Sequence, residues 1–340
     1  MLEQKTYLVT GGAGFIGSHL AEALLAQGNR VLAIDDLSTG SLDNIDHLLS
    51  HPDFCFTRAN IKDEVVLDRL ALEANVIIHL AAAVGVNLIL KYPLHTIQTN
   101  IMGTEAVLKA ALRYRTKVLV ASTSEVYGKS NSLPFREDDD VILGPTSRCR
   151  WAYAASKMVD EFMALAYYQE QGLPIIVARL FNIVGPRQTG RYGMVIPRFV
   201  QQALRGEPLT VYGDGQQTRC FLHVEDAVRA FVVLSEAPEA IGEVFNVGAT
   251  EEISILELAK KVIAMVEASK GLTTSAVNGH KDPRVIFVTY DKAYGYGFED
   301  MQKRVPDNSK IRDYLDWEPR KNLNKILQDV IDYYANKVVD

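Results

Sequence analysis

Short apolar runs alternate with helical patterns along the first 180 residues of the chain. The apolar runs are "TYLVT", "RVLAID", "VIIHLA", "KVLVAS" and "PIIVARL". Between them, the sequence has the pattern of amphipathic helices over 14–27, 63–73, 100–114 and 153–170, and a polar loop is predicted after "RVLAID". Strands and helices in alternation predict an α/β fold, a doubly wound parallel sheet with helices on both faces.

Beyond residue 182 this alternation gives way to loops rich in Gly, Pro and Arg, such as "GPRQTGRYG" and "YGDGQQTR". We predict that residues 1–182 form the sheet domain and that 183–340 form mainly a smaller C-terminal lobe for the substrate. Segments within 221–249 are predicted to return to the first domain. Ser254, followed three residues later by Glu257, predicts a capping box at the start of an amphipathic helix.

Composition and charge narrow the class of protein. The chain has 340 residues, of which 48% are hydrophobic and 23% charged, and its net charge of −6 argues against nucleic acid or an anionic membrane as partner. Cys55, Cys149 and Cys220 are widely spaced, which predicts neither a disulfide framework nor a metal site. The N-terminus does not resemble a signal peptide, and no apolar run is long enough for a membrane span. We therefore expect a cytoplasmic protein.

A glycine-rich turn separates the first strand from the first helix. The stretch "VTGGAGFIGSHLAEALL" places Gly11, Gly14 and Gly17 where a pyrophosphate could approach the backbone and the positive end of the helix. The second strand ends in Asp35, as expected for an acid that binds the adenosine ribose hydroxyls. Because Asp36 follows rather than an arginine, a 2′-phosphate would be repelled. The pattern predicts a Rossmann-type dinucleotide site that favours NAD over NADP.

Tyr153 and Lys157 in "RWAYAASK" are four residues apart and therefore lie on one face of a helix. A tyrosine is a poor base at neutral pH unless a cation lowers its pKa, which Lys157 can do. Thr123 lies at the carboxyl end of the "KVLVAS" strand, where ligands of such sheets bind. Tyr333 and Lys337 have the same spacing, but no strand-end hydroxyl precedes them, so we interpret them as a solvated helix face. Tyr153 is thus predicted to be the base that takes a hydroxyl proton as a hydride leaves.

Together these motifs resemble the extended short-chain dehydrogenase/reductase family. The glycine spacing, the Ser/Thr, Tyr and Lys set, "RANIKD" with Asn60 at the adenine-contacting position, and "HLAAAVGV" along the cofactor carry the resemblance. It implies NAD as the cofactor. The cofactor contacts that it implies are Gly11, Gly14, Phe15, Ile16, Gly17, Asp35, Asn60, Ile61, Leu80, Ala81, Ala82, Asn100 and Lys157.

Within this family the chain resembles the nucleotide-sugar branch over nearly its whole length. The stretches "RLFNIVGPR", "GEPLTVYGDGQQTRCF" and "EDMQKRVPD" carry this resemblance, which implies a nucleotide sugar, most simply a UDP-sugar, as substrate. Arg219 and Arg304, in the last two of these stretches, suit a diphosphate because each guanidinium offers paired donors to phosphate oxygens. Arg148 or Arg150 could hold a sugar carboxylate. The implied substrate contacts are Asn182, Arg150, Arg219, Tyr212 and Arg304.

Three reactions of this branch proceed through a 4-keto sugar and remain open here. A 4-epimerase needs no carboxylate after Thr123, so Glu125 counts against it; a 4,6-dehydratase needs an acid, and Ser124 is a poor one. "TSE" and "AYGYGFEDMQKRVPD" resemble UDP-glucuronate decarboxylases, whereas "GRYGMVIPRF" resembles 4-epimerases. We predict decarboxylation of UDP-glucuronate, with Glu125 and Ser124 positioning the carboxylate or managing the C5 proton.

The same resemblance implies a homodimer built from the helices at 100–114 and 153–170. A non-catalytic NAD sensor is the alternative from another class of protein, because a fold by itself does not imply activity. Such a sensor would be expected to lose Tyr153 or Lys157, and both are present. The sequence therefore favours an enzyme.

Overall fold

Buried parallel strands form the centre of the fold. The computed structural model describes residues 3–190, 193–271, 282–294 and 299–338. Parts of the stretches "GRYGMVIPRF" and "AYGYGFEDMQKRVPD", at 191–192 and 295–298, lie outside the described residues. The strands are β1 Thr6–Thr10, β2 Arg30–Asp35, β3 Phe54–Arg58, β4 Val76–His79, β5 Lys117–Thr123, β6 Ile175–Leu180, β7 Ile183–Val184, β8 Leu209–Tyr212, β9 Thr218–Cys220, β10 Leu222–His223, β11 Val244–Val247, β12 Glu252–Ser254 and β13 Val285–Val288.

Helices connect most of these strands. They are α1 Phe15–Ala26, α2 Glu64–Glu73, α3 Val86–Lys91, α4 Pro93–Tyr114, α5 Ala152–Gln171, α6 Val195–Leu204, α7 Val224–Glu236, α8 Ile255–Ser269, α9 Tyr290–Tyr294, α10 Ser309–Leu315 and α11 Leu323–Val338. Within the described residues, no helix is both long and apolar enough to cross a membrane.

The central sheet is parallel and has seven strands in the order β11, β6, β5, β4, β1, β2, β3. The doubly wound Rossmann-type fold predicted from the alternation is confirmed. Strand order reverses beside β1, which pairs with β2 on one side and β4 on the other. Ligands of open α/β sheets bind at the carboxyl ends of the strands beside such a switch point.

Helices cover both faces of this sheet, and each face has its own apolar core. Along β1, Tyr7 and Val9 belong to the core that also contains Leu20 of α1. Leu8, between them, belongs to the opposite core with Val107 of α4. Successive side chains of a strand point to opposite faces, so a strand covered on both sides is apolar throughout.

The prediction of a polar loop after "RVLAID" was wrong in part, because β3 pairs with β2 at the sheet edge. Only Phe54 of its five residues is buried, and Cys55 and Arg58 are exposed. An edge strand pairs with a neighbour on one side only, and most of its side chains are not buried. It therefore lacks the hydrophobic pattern by which strands are recognised in a sequence.

The C-terminal region builds a third apolar core from α6, α8 and α11 with the parallel pair β8 and β13. The capping box is confirmed: the Ser254 hydroxyl accepts from the Glu257 amide, and the Glu257 carboxylate accepts from the Ser254 amide. Strand β11 lies in the central sheet beside β6, and α7 packs on the core of that sheet. The exact domain boundaries at 182 and 221–249 stay a prediction.

Candidate active site

The glycine turn between β1 and α1 has no room for side chains. Gly11 has a φ of 70°, and a Cβ there would lie 3.0 Å from the amide nitrogen of Ala81. A Cβ on Gly17 would lie 2.2 Å from the carbonyl oxygen of Gly11. No side chain of the described residues caps α1 at Gly14, so the first-turn amides at Phe15 and Ile16 are left for an anion. This cradle fits the pyrophosphate of NAD.

We expect Gly17→Ala to weaken NAD binding at least about tenfold, because the turn must move to accommodate the methyl group. Isothermal titration of NAD into the purified variant measures the effect. Gly28→Ala is the matched control, since Gly28 also has a positive φ, of 81°, but faces open space. The control should lose about 1 kcal/mol of stability and keep its NAD affinity. Equal NAD affinity in the Gly17 and Gly28 variants would contradict the assignment.

Asp35, at the end of β2, is hydrogen-bonded to the glycine turn. Its carboxylate accepts hydrogen bonds from the amides of Leu37 at 2.8 Å and Ala13 at 3.1 Å. Burial, and secondarily the charge of Asp36, raise the pKa of Asp35 above its ordinary value. Asn60, predicted to contact adenine, donates to the Asp36 carboxylate at 2.8 Å, so these side chains lie together at one end of the cleft.

The opposite wall of the cleft follows β4, where Leu80 and Ala81 both donate backbone hydrogen bonds of 3.1 Å to the Thr10 hydroxyl. His79 lies between the hydroxyls of Thr10, at 2.8 Å, and Thr104, at 3.0 Å. Burial, and then the charge of Lys157, lower the pKa of His79 to about 3, so this imidazole is neutral. Neither threonine could be recognised from the sequence, since each lies inside a regular element.

Asn100 connects this wall to α5, the helix that carries Tyr153 and Lys157. Its side chain accepts from the Ala83 amide at 2.8 Å and donates to the Ser156 hydroxyl at 3.0 Å. Ala82 is the neighbouring residue of that loop, and the Ile61 side chain lies against Gly103 of α4. Asn100 therefore fixes the loop after β4 relative to α5.

Thr123 and Tyr153 meet at the carboxyl end of β5. Their hydroxyl groups share a hydrogen bond, and the Thr123 hydroxyl also accepts from the Glu125 amide at 3.2 Å. Burial, and secondarily the charge of Glu125, raise the pKa of Tyr153 above its ordinary value. Lys157 donates to the Asp160 carboxylate at 2.7 Å, a partner that the sequence analysis missed. That Lys157 lowers the pKa of Tyr153 stays a prediction.

Beside Tyr153 lies a group of five charged side chains, four buried and one half-buried, here called the arginine cluster: Glu125, Arg150, Arg219 and Arg304, with the half-buried Asp300. Glu125 accepts from Arg150 at 2.5 Å and from Arg304 at 3.3 Å. Asp300 accepts from Arg219 at 2.8 Å and lies 3.6 Å from Arg304 and 3.9 Å from Arg150. Three guanidinium groups and two carboxylates leave one net positive charge.

Electrostatics keep the cluster ionised. Burial alone would raise the pKa of Glu125, but Arg150 and Arg304 outweigh it and hold that pKa below its usual range. Burial, together with the charge of Arg219, lowers the pKa of Arg304 to about 10, so it still carries its charge at neutral pH. The cluster therefore keeps a net positive charge in a region that water reaches poorly, an arrangement that suits an anion.

A cavity of about 190 Å³ joins the cluster to Tyr153. Among the predicted site residues, it is lined by Glu125, Tyr153, Asn182, Tyr212, Arg219 and Arg304. Ser124 is buried in the short helical turn that Thr123 begins, and Arg150 lies behind Glu125. Arg148 is only half-buried, so of the two candidate arginines it is Arg150 that belongs to the cluster.

The far end of the cavity is aromatic. The Arg198 guanidinium lies 4.0 Å from the centre of the Tyr212 ring, and Tyr294 meets Tyr212 edge to face. Asn182 has a left-handed backbone, with a φ of 41°, and its side chain donates to the Cys220 carbonyl at 2.8 Å. Sequence reasoning missed Arg198, Tyr294 and Asp300, although Asp300 stands in the quoted "EDMQKRVPD". No cluster of three potential metal ligands occurs within the described ranges.

The site combines three features: the glycine turn for a dinucleotide, the set of Thr123, Tyr153 and Lys157, and the cavity beside the arginine cluster. Together they define an NAD-dependent nucleotide-sugar enzyme of the extended short-chain dehydrogenase/reductase class. The family model described as GDP-mannose 4,6 dehydratase matches residues 8–330. The chain therefore belongs to that family.

Similar proteins share nearly the whole chain. A UDP-N-acetyl-alpha-D-glucosaminuronate decarboxylase of Bacillus cytotoxicus is 39% identical over 97% of this chain and 98% of its own. The UDP-glucuronic acid decarboxylase 1 of Arabidopsis thaliana is 35% identical over 98% of this chain and 70% of its own. The crystal structure of a UDP-glucuronic acid 4-epimerase from Bacillus cereus, with UDP-glucuronic acid and NAD, is 31% identical, covers 98% and 99% of the two chains and has a TM-score of 0.83.

Proposed function

We propose that the protein decarboxylates a UDP-linked uronic acid through a 4-keto intermediate. The observation that carries the proposal is the arginine cluster, whose single net positive charge lies beside Tyr153. The C6 carboxylate of a uronic acid is close to the C4 hydroxyl on which Tyr153 acts. The decarboxylases among the similar proteins support this assignment.

The first step is oxidation at C4. Tyr153 takes the C4 hydroxyl proton, and Thr123, which already hydrogen-bonds the phenol, orients the same oxygen. NAD, when bound, supplies a hydride acceptor for C4 and later returns the hydride. The glycine turn, Asp35 and Asn100 would hold the cofactor, and Lys157 would hold its ribose.

The second step needs little acid or base. The 4-ketone makes the C6 carboxylate a β-keto acid, so the C5–C6 bond breaks, carbon dioxide leaves, and the electron pair moves to the C4 oxygen as an enolate. The enolate then takes a proton at C5. Arg304, which lines the cavity, binds the carboxylate before it leaves, and Arg150, behind Glu125, adds positive charge. The Nε of Arg304 is a buried donor with no hydrogen-bond partner among the described residues.

Glu125 limits how tightly the arginine cluster binds that carboxylate. It already pairs with Arg150 and Arg304, so these arginines cannot give their full charge to the substrate. Arg219 also lines the cavity, where it pairs with Asp300, and it would contact the diphosphate. Because carbon dioxide is neutral, a site that held the carboxylate too tightly would stabilise the ground state rather than the transition state.

A uronate 4-epimerase is the second candidate, because the same cluster would hold a carboxylate that is retained. The similar structure from Bacillus cereus, a UDP-glucuronic acid 4-epimerase, favours it. A 4,6-dehydratase is the weakest of the three alternatives, since the buried Ser124 is a poor acid for releasing a hydroxyl.

The experiment compares UDP-glucuronate and UDP-N-acetylglucosaminuronate, each labelled with ¹³C at C6, in separate incubations with catalytic NAD. Release of labelled carbon dioxide, with a pentose or its ketone in the proton NMR spectrum, is the expected result. A product of unchanged mass with inverted C4 would replace this proposal by the epimerase. No reaction with either uronate, but loss of water from a neutral nucleotide hexose, would replace it by the dehydratase.

We also propose a homodimer in the cytoplasm. Exposed apolar side chains lie on the two helices that the resemblance singled out: Leu94, Ile97 and Met102 on α4, and Val159 and Phe162 on α5. The Phe162 side chain is 70% exposed, which is unusual for a phenylalanine outside an interface. The three cysteines are unpaired, which fits a reducing compartment.

Phe162→Asp is expected to convert the dimer to a monomer, because a buried unpaired charge costs several kcal/mol at an interface. Light scattering after size-exclusion chromatography measures the mass. Val65→Asp is the control: Val65 is also highly exposed, at 82%, but lies on α2. A monomeric wild-type protein, or loss of the dimer in both variants, would contradict the proposed interface.

A further inference from the structure

Asp160 is a buried carboxylate in direct contact with the predicted catalytic lysine. It lies three residues after Lys157 on α5, has no exposed surface, and accepts from the lysine Nζ at 2.7 Å. Tyr153, Lys157 and Asp160 are spaced at i, i+4 and i+7, so all three lie on one face of the helix. Neither the motifs nor the proposed reaction gives Asp160 a role.

Packing and stability do not explain this carboxylate. Its second oxygen, Oδ1, is buried and has no hydrogen-bond partner among the residues that the structure describes. A buried ion pair gains little net stability, because desolvation offsets the attraction between the charges. A carboxylate with one unsatisfied oxygen is costlier still. Because burying this carboxylate costs folding free energy, a role in the site explains Asp160 better than a role in the core.

We propose that Asp160 is a positioning residue: its carboxylate fixes the Lys157 ammonium and moderates the positive charge that this ammonium presents to the Tyr153 phenol. An ammonium has three donors, so one bond to Asp160 leaves two for the cofactor ribose. The proposal rests on Tyr153 being the base in the proposed function.

Several charged groups around Tyr153 act on its pKa together with Asp160. Glu125 faces the phenol from the turn after β5, and Arg304 faces it from the segment before α10. His79, at the end of β4, is neutral and lies within electrostatic range of Lys157. After burial and Glu125, the charge of Asp160 is a further cause that raises the pKa of Tyr153, and Arg304 acts in the opposite direction.

The sign of the expected change follows from these charges. A negative charge disfavours the phenolate, so removing it lowers the pKa of Tyr153. Asp160→Asn keeps an oxygen that can accept from Lys157 but loses the charge. In the NAD-loaded enzyme, the acidic limb of the kcat/KM profile should therefore move to lower pH by about one unit.

Glu161→Gln is the matched control. Glu161 is the neighbouring buried carboxylate, but it pairs with Arg179 at 2.8 Å and accepts from the Ser122 hydroxyl. It should lower the melting temperature without moving the pH profile. If Glu161→Gln does not fold, Ser122→Ala weakens the same network more gently. Asp160→Ser, which is neutral and small, replaces Asp160→Asn if that variant does not fold.

A readout without substrate separates this inference from the proposed function. Tyrosine labelled with ¹³C at Cζ, assigned with Tyr153→Phe, reports the phenolate fraction of Tyr153 in the NAD complex at a fixed alkaline pH. The fraction should be higher in Asp160→Asn than in the wild type, even if no uronate is decarboxylated. An equal fraction in both proteins, or a pH profile that moves equally in the Glu161 control, would overturn the role of Asp160.

Discussion

Tyr153→Phe should lower kcat by about a thousandfold, because it removes the base that takes the C4 hydroxyl proton. Only one oxygen atom is lost, and the ring still fills its buried position beside Thr123. The affinities for NAD and for the nucleotide sugar should therefore stay nearly unchanged. Carbon dioxide release from labelled UDP-uronate gives kcat, and calorimetry gives the two affinities.

Tyr333→Phe is the control that the chain itself offers. Tyr333 and Lys337 repeat the spacing of Tyr153 and Lys157 on α11, and the Lys337 ammonium lies 4.9 Å from the centre of the Tyr333 ring. This variant should keep full activity. Normal turnover in Tyr153→Phe would exclude Tyr153 as the base, whatever the control shows.

The second large effect is expected for Glu125→Gln. Losing this charge frees Arg150 and Arg304, so the cluster holds the substrate carboxylate more tightly before carbon dioxide leaves. Because the product is neutral, that gain is absent from the transition state of bond cleavage. We expect kcat to fall about a hundredfold while KM also falls.

Initial rates of labelled carbon dioxide release over a range of substrate concentrations separate kcat from KM. Glu299→Gln is the matched control, since Glu299 stands next to Asp300 but pairs with Lys129 at the protein surface, at 2.6 Å. The control should leave both constants unchanged. A higher KM with an unchanged kcat in Glu125→Gln would mean that Glu125 only helps to bind the substrate, contrary to the role proposed for it.

Local sequence patterns were enough to predict the central sheet and the glycine turn. Apolar runs buried on both faces repeat along the chain, and a helix follows most of them, so the parallel sheet could be predicted from local patterns. The glycine turn was equally predictable, because Gly11 and Gly17 occupy positions where a side chain would clash with backbone. Strand β3 was not predicted from the sequence, since an edge strand buries too few side chains to show a hydrophobic pattern.

The pairing of the charges in the site could be seen only in the folded chain. Glu125 and Arg304 are 179 residues apart in the chain, yet they share a hydrogen bond, and Asp300 joins the same cluster through Arg219. From the sequence, Asp160, one turn from Lys157, looks like an ordinary polar residue on the surface of a helix. The structure shows instead that it is completely buried. Local periodicity specifies which face of an element is apolar, whereas the partner of a buried charge depends on which distant segments the fold brings together.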